Sequence, residues 1–310
     1  MQSYNFLWKI RNKTKIMLYF CRNLNVNRMK KSLFPFLGLM VMALFFSTGC
    51  TEKKPESADT LQSDTMFSDT LGADTLDNII AEQPMPKAAD ELFDDFVFNF
   101  AANRKVQKER TDFPLTHVTY GKETAVAMRQ WSMEHFFMRQ GYYTLIFNSE
   151  KQKKLVKDTN VGNVYVEKIS QENNSVKRWQ FNRVDGLWRL QKVSVLSLSQ
   201  HEDADFVTFY NSFASDSVFQ MQSIASQVKF SGPDPDDDFS RMEGELMPEQ
   251  WPMFAPWLPT GDMYNIHYGE QPYKKSDTRM FIIRGVASGL ETELTFEKQN
   301  GKWMLVKFEN

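Results

Sequence analysis

The chain repeats itself, and that repeat constrains its fold more than any other feature. Trp179–Val193 reads WQFNRVDGLWRLQKV and Leu294–Phe308 reads LTFEKQNGKWMLVKF. Phe181, Gly186, Trp188, Leu190 and Lys192 recur as Phe296, Gly301, Trp303, Leu305 and Lys307, all at an offset of 115. Asp-Gly and Asn-Gly between apolar runs predict hairpins with type I′ turns, whose two central residues need positive φ. A two-residue turn sets Lys298 opposite Trp303, Phe296 opposite Leu305 and Leu294 opposite Lys307. It also sets Arg183 opposite Trp188 and Phe181 opposite Leu190. A cation beside each Trp suits a cross-strand cation–π contact of about 0.5–1 kcal/mol.

The repeat extends upstream. Phe93, Phe96, Phe100 and Ala101 recur as Phe206, Phe209, Phe213 and Ala214 at an offset of 113. Spacings of three and four put each set of Phe on one helical face. Ser199-Gln200-His201-Glu202 reads as a capping box for the second helix. Gln130-Trp131-Ser132-Met133 recurs as Gln250-Trp251-Pro252-Met253 at an offset of 120. Each copy reads as a long amphipathic helix, a mixed region with a Trp, and consecutive strands. Strands are expected near Tyr142–Phe147, Val161–Ile169, Val176–Val184 and Leu187–Leu198, then near Tyr264–Tyr268, Arg279–Val286, Glu291–Lys298 and Trp303–Glu309. Helix followed by antiparallel strands is α+β, and the helix stripe must pack on a sheet face.

Each copy, 88–198 and 199–310, resembles the nuclear transport factor 2-like fold, a curved sheet around a long helix, with cystatin-like domains as the nearest competitor. The helix-first order and the strand–(Asp/Asn)-Gly–x-Trp–strand ending carry the likeness. The whole chain resembles a family of bacterial envelope lipoproteins with this fold. The resemblance implies two tandem domains docked as a pseudo-symmetric pair, apolar sheet faces together, in a monomeric chain. It also implies a cone-shaped cavity that serves catalysis in some relatives and binding in others.

The first 50 residues hold eight Lys or Arg and no acid. Met29-Lys30-Lys31, an apolar run Leu33–Phe46 and Ser47-Thr48-Gly49-Cys50 form the three-part layout of an export signal at 29–49. The run is shorter than the roughly 20 residues a spanning helix needs. Small residues before Cys resemble a lipobox, which implies lipidation of Cys50 and anchorage at the envelope, the outer membrane by expectation, with the exposed face left open. Residues 1–28 read as an extension ahead of the true start at Met29. Without 1–50 the chain has 29 basic and 39 acidic residues, a net charge of −10. That balance argues against nucleic acid as a partner. Cys50 is then the remaining cysteine, so no disulfide is expected in the mature chain.

Residues 50–87 read as a flexible Asp/Thr-rich tether. Within it ADTLQ, SDTMF, SDTLG and ADTLD repeat between Ala58 and Asp77. Asp-Thr-Leu/Met resembles an O-glycosylation sequon of Gram-negative anaerobes, which implies Thr60, Thr65, Thr70 and Thr75 as acceptors.

Candidates for chemistry are sparse. His117, His135, His201 and His267 lack metal-ligand spacing to one another or to Cys, and no cofactor motif is present. Asp262, Tyr264 and His267 form a possible acid–base set on one strand. Asp234, Asp236, Asp238 and Glu245 sit at positions 1, 3, 5 and 12 of a calcium loop, but position 6 is Phe239 where Gly is needed. Trp251, Trp257 and Tyr268 lie in an aromatic-rich stretch suited to sugar stacking. Three functions follow: a non-enzymatic binding or assembly module for a small molecule or envelope protein; an isomerase-type or hydrolytic enzyme in the second copy's cavity; a glycan-binding surface protein. Filled interiors favour the first.

Overall fold

Two hairpins frame the structure, a computed structural model that describes residues 85–234, 237–269, 276–286 and 288–310. Strand β5 (Ser175–Val184) turns at Asp185-Gly186 into β6 (Leu187–Ser197), and β11 (Glu291–Gln299) turns at Asn300-Gly301 into β12 (Lys302–Glu309). All four turn residues have positive φ, from 50° to 79°, as a type I′ turn requires. Arg183 pairs with Trp188 and Lys298 with Trp303. The two cations lie 5.9 and 4.8 Å from their ring centroids. Beyond Phe296–Leu305 the register shifts by one residue, so Thr295 faces Lys307 and Leu294 faces Phe308. The expected Leu294–Lys307 pair is thereby corrected: the bulge keeps Leu294 and Phe308 both in the core, where an unbroken register would have placed Lys307 opposite Leu294.

The remaining strands are β1 (Thr111–Thr119), β2 (Lys122–Val126), β3 (Tyr142–Phe147), β4 (Asn163–Ser170), β7 (Ile224–Asp234), β8 (Asp237–Leu246), β9 (Met263–Tyr268) and β10 (Thr278–Gly285). They join one curved sheet in the order β2-β1-β6-β5-β4-β9-β3-β10-β11-β12-β7-β8. Match each of β1–β6 with the strand six places later, and this order is its own reverse. The two central strands are exchanged. β3 pairs with β10, and β9 pairs antiparallel with β4. The halves are therefore joined edge to edge through continuous backbone pairing, where the sequence led us to expect two sheets packed face to face.

The helices lie on opposite faces of this sheet. Helix α1 (Phe93–Ala102) packs Phe93, Phe96 and Phe100 with Leu145, Phe147, Ile266 and Ile282. Helix α3 (Ala204–Ser215) packs Phe206, Tyr210 and Phe213 with Ile146, Met263, Phe281 and Ile283. Successive strand residues point to opposite faces, so Ile282 and its neighbours Phe281 and Ile283 serve different cores. Central strands covered on both sides read as unbroken apolar runs, as in Met280-Phe281-Ile282-Ile283.

Each expected long helix is two pieces. Helix α1 stops at Asn103, whose Oδ1 accepts the N–H groups of Lys105 and Val106 at 2.9 and 3.1 Å and starts α2 (Arg104–Glu109). Helix α3 stops at Asp216, whose Oδ1 accepts those of Val218 and Phe219 at 2.8 and 3.1 Å and starts α4 (Ser217–Gln222). Short polar side chains that bond nearby N–H groups interrupt helices in this way. The expected capping box is corrected likewise: α3 begins after Asp203, and Gln200 Oε1 accepts from the N–H of Ser197 in the turn before it. Among the described residues no helix is long and apolar enough to cross a membrane.

Candidate functional site

The interior beneath each helix is filled with rings. Phe93 meets Trp188 at 5.0 Å and Phe100 meets Phe181 at 5.1 Å, both edge-on. Phe136 adds an edge-on contact to Trp179 at 5.1 Å. Under α3, Phe206 meets Trp303 at 5.4 Å and Phe213 meets Phe296 at 5.1 Å. These are the separations aromatic pairs prefer.

Polar groups inside this packing are tied together. Glu167, fully buried on β4, accepts from Arg178 Nε at 2.7 Å and from Asn265 Nδ2 at 2.9 Å. His201 Nε2 lies 3.2 Å from Glu167 Oε2, the oxygen that also accepts from Asn265. Arg178 also forks onto Glu202, at 3.2 and 2.6 Å. Burial pushes the Glu167 carboxyl up, but His201 and Arg178 together outweigh it and hold the group well below the usual range. Burial lowers His201, and Glu167 overcomes that to raise it. The network pins the β6–α3 connection to β4 and to the exchanged strand β9.

Glu167, His201 and Glu202 bring ligand-type atoms within 4.8 Å of one another. The donor set nevertheless does not suit a metal. His201 Nδ1 accepts the N–H of Asp203 at 3.0 Å, so a neutral ring carries its proton on Nε2, the atom a metal needs. Arg178 already supplies the positive charge between the two carboxylates.

A second cluster lies at the other face. Tyr268 donates its hydroxyl to Asp94, and Arg284 reaches the same carboxylate at 3.2 Å and the Tyr143 hydroxyl at 3.4 Å. Burial raises the Asp94 carboxyl against these donors, and burial and Asp94 push the Tyr143 hydroxyl up to about 12. A raised carboxyl beside a phenol is proton-transfer chemistry in kind, but here Arg284 compensates the charge.

The third feature is a cleft of about 300 Å³ at the start of α3, lined by Glu202, Asp203, Asp205, Asp277, Arg279, Lys298 and Trp303 among others. Asp203 is 2% exposed. Its Oδ1 accepts from Arg279 Nε at 2.6 Å, and its Oδ2 has no hydrogen-bond partner among the described residues. Asp205 accepts from Trp303 Nε1 at 3.1 Å and pairs with Lys298 at 2.6 Å.

The residues nominated from sequence do not converge. Asp262 pairs with Lys168 at 2.8 Å, outside the core. Tyr264 packs against Trp179 in the first core, 6.4 Å between ring centroids. His267, three residues on, points to the opposite face and meets Tyr165 edge-on at 6.0 Å; burial lowers its pKa. The acid–base set is thus split by strand alternation. Trp251 is a core residue whose Nε1 donates to Gln220 Oε1 at 3.0 Å. Tyr268 lies in the other core. Trp257 is 64% exposed and edge-on to Tyr142 at 4.9 Å. Asp234 ends β7, while Glu245 sits on β8 opposite Lys229. An extended strand carries Glu245 about 26 Å from Asp237, so it does not close a loop with Asp234. Asp236, the side chain of Asp238, Cys50, Thr60, Thr65, Thr70 and Thr75 lie outside the described residues.

The Glu167 network and the Asp203 cleft were missed. Glu167 and His201 carry no motif and meet only through sheet pairing. Asp203 left a usable signal, for at the offset of 113 it falls on Asp90, as Asp216 falls on Asn103 and Gln220 on Gln107.

Residues 72–310 match the model of a family described as a domain of unknown function, DUF4348. No curated protein matches the chain. Among solved structures, an NTF2-like protein from Bacteroides fragilis NCTC 9343 is 37% identical, with a TM-score of 0.66 over 73% of this chain and 98% of that one. The α+β architecture with its large curved sheet is NTF2-like.

Proposed function

We propose that this chain, which belongs to the DUF4348 family, is a lipid-anchored cell-envelope protein that binds a ligand or partner without catalysing a reaction. Two tandem NTF2-like domains, 88–198 and 199–310, form a pseudo-symmetric pair within one monomer. A tether at 50–87, glycosylated at Thr60, Thr65, Thr70 and Thr75, holds them off the membrane from an acylated Cys50. The palindromic strand order and the matched capping residues Asn103 and Asp216 support the duplication.

One observation carries the non-catalytic reading: aromatic side chains fill the interior under both helices. The buried Glu167 and half-buried Asp94 carboxylates are held by cations. The cleft at Asp203 remains as the place for recognition. A glycan site at Trp257 rests on one exposed ring, set edge-on to the half-buried Tyr142.

Two experiments test this. In fractionated cells the wild-type chain should sit with membranes and Cys50→Ser should be released; equal release of both overturns the anchor. Apolar dyes and steroid-sized fluorescent probes should stay unbound, and saturable interior binding would overturn the filled-core reading.

A further inference from the structure

The cleft beside Trp303 has a counterpart at the other end of the sheet, and the buried Asp is satisfied differently in the two. At the counterpart, Asp90 is satisfied by protein. Arg110 donates to both of its carboxylate oxygens, at 3.0 and 2.8 Å, and the Trp188 N–H donates at 3.0 Å. Arg110 closes α2, and its carbonyl accepts from the Leu190 N–H at 2.8 Å. The residue that closes α4, with its carbonyl accepting from the Leu305 N–H at 2.8 Å, is Ser223. Ser223 donates its hydroxyl to Phe219 and offers Asp203 no cation. Asp203 takes one donor from Arg279, and its Oδ2 stays buried without one. Buried acceptors are rarely left so, and Asp203 is among the residues that line the cleft.

We propose that the cleft binds a protonated amine or guanidinium group, which donates to Asp203 Oδ2 where Arg110 donates in the first half. The proposal rests on the binding reading above and names its ligand class. Volume fits: about 300 Å³ lies at the small end of ligand-pocket volumes, enough for an aminoalkyl chain. Charge fits as well. Asp203, Asp205 and Asp277 face two cations, Arg279 and Lys298, while Glu202 is already paired with Arg178. Both cations are engaged, Arg279 with Asp203 and with the carbonyls of Ser276 and Thr278, Lys298 with Asp205. An anion would meet an excess of carboxylate. A bare metal ion fits poorly, since the cleft's own acids do not gather into a coordination group among the described residues. Trp303 is covered by Phe206, Lys298 and Arg279, so the selection is by charge and donor rather than by ring stacking.

The test is calorimetric titration of the mature chain with Nα-acetyl-lysinamide, Nα-acetyl-argininamide and propylammonium, with the Nε-acetylated lysine analogue as the uncharged control. At least one cationic probe should bind saturably and the uncharged analogue should not. Asp203→Asn should weaken binding tenfold or more. Ser223→Arg, which imports the first half's cation, should remove it. Glu123→Gln on the exposed strand β2 should bind as wild type, and circular dichroism should show all variants folded. Tighter binding of the lysyl or arginyl probe names a protein side chain as the source; tighter binding of propylammonium names a small amine. Failure of all three cationic probes, equal binding of the uncharged analogue, or unchanged binding by folded Asp203→Asn overturns the proposal. If the intact protein then holds a neutral or anionic companion, the binding reading survives and only the cationic class falls.

Discussion

Replacing Glu167 with Ala should cost more stability than any other single change outside the aromatic cores. The carboxylate is fully buried and takes donors from Arg178, Asn265 and His201. Its loss strands three donors and leaves a mostly buried guanidinium held by Glu202 alone. Breaking a buried pair from one side costs about 3–5 kcal/mol. For a domain of this size that lowers Tm by roughly 6–20 °C, at 2–4 °C per kcal/mol. Glu202→Ala removes the other arm of the same Arg178, but the Glu202 side chain is 39% exposed, so solvent screening limits the loss to about 1 kcal/mol or less. Urea and thermal unfolding followed by circular dichroism measure both variants. A Glu167→Ala loss under about 1 kcal/mol, or a loss equal to that of Glu202→Ala, would refute the idea that this network clasps the β6–α3 connection to the sheet.

Three further outcomes follow from the same geometry. Trp251→Phe and Trp131→Phe should each lose about 0.5–1.5 kcal/mol in urea unfolding, because the indoles donate to the half-buried Gln220 at 3.0 Å and the buried Gln107 at 3.2 Å. Asp262→Asn should change stability by about 0.5 kcal/mol or less, because its pair with Lys168 is about 40% exposed on both sides; a larger loss would show a role for Asp262 beyond that pair. His267 has its pKa lowered by burial, so it contributes stability above the unfolded value of about 6.5 that is lost as pH falls toward the folded one. His267→Phe should therefore lose less stability than wild type between pH 7 and pH 5, with equal losses counting against the reasoning.

The parts legible in the sequence are those where one residue type has one reason. Gly186 and Gly301 need positive φ, so the hairpins could be placed. Phe93, Phe96 and Phe100 need one helical face, so the helix could be placed, though not its break at Asn103. Strands β1, β2, β7 and β8 were not expected: β2 and β8 are sheet edges with exposed or charged side chains, which hides the alternation, and β1 and β7 pair parallel with β6 and β12, which corrects the expected all-antiparallel sheet. The exchange of β3 and β9 was hidden for the opposite reason. Thr144-Leu145-Ile146-Phe147 is apolar on both faces and fits any neighbour buried on both sides. The Glu167 network depends on that exchange, since Asn265 comes from β9. The Asp203 cleft was half-visible: the offset of 113 sets Ser223 where Arg110 stands, but only the fold shows that this Arg reaches Asp90.

The most direct test of the binding account is native mass spectrometry of the mature protein purified undenatured from its own cell envelope. The account predicts a monomer with a small non-covalent companion bearing an amine or guanidinium, released on denaturation and absent from Asp203→Asn. A bare wild-type mass would contradict it.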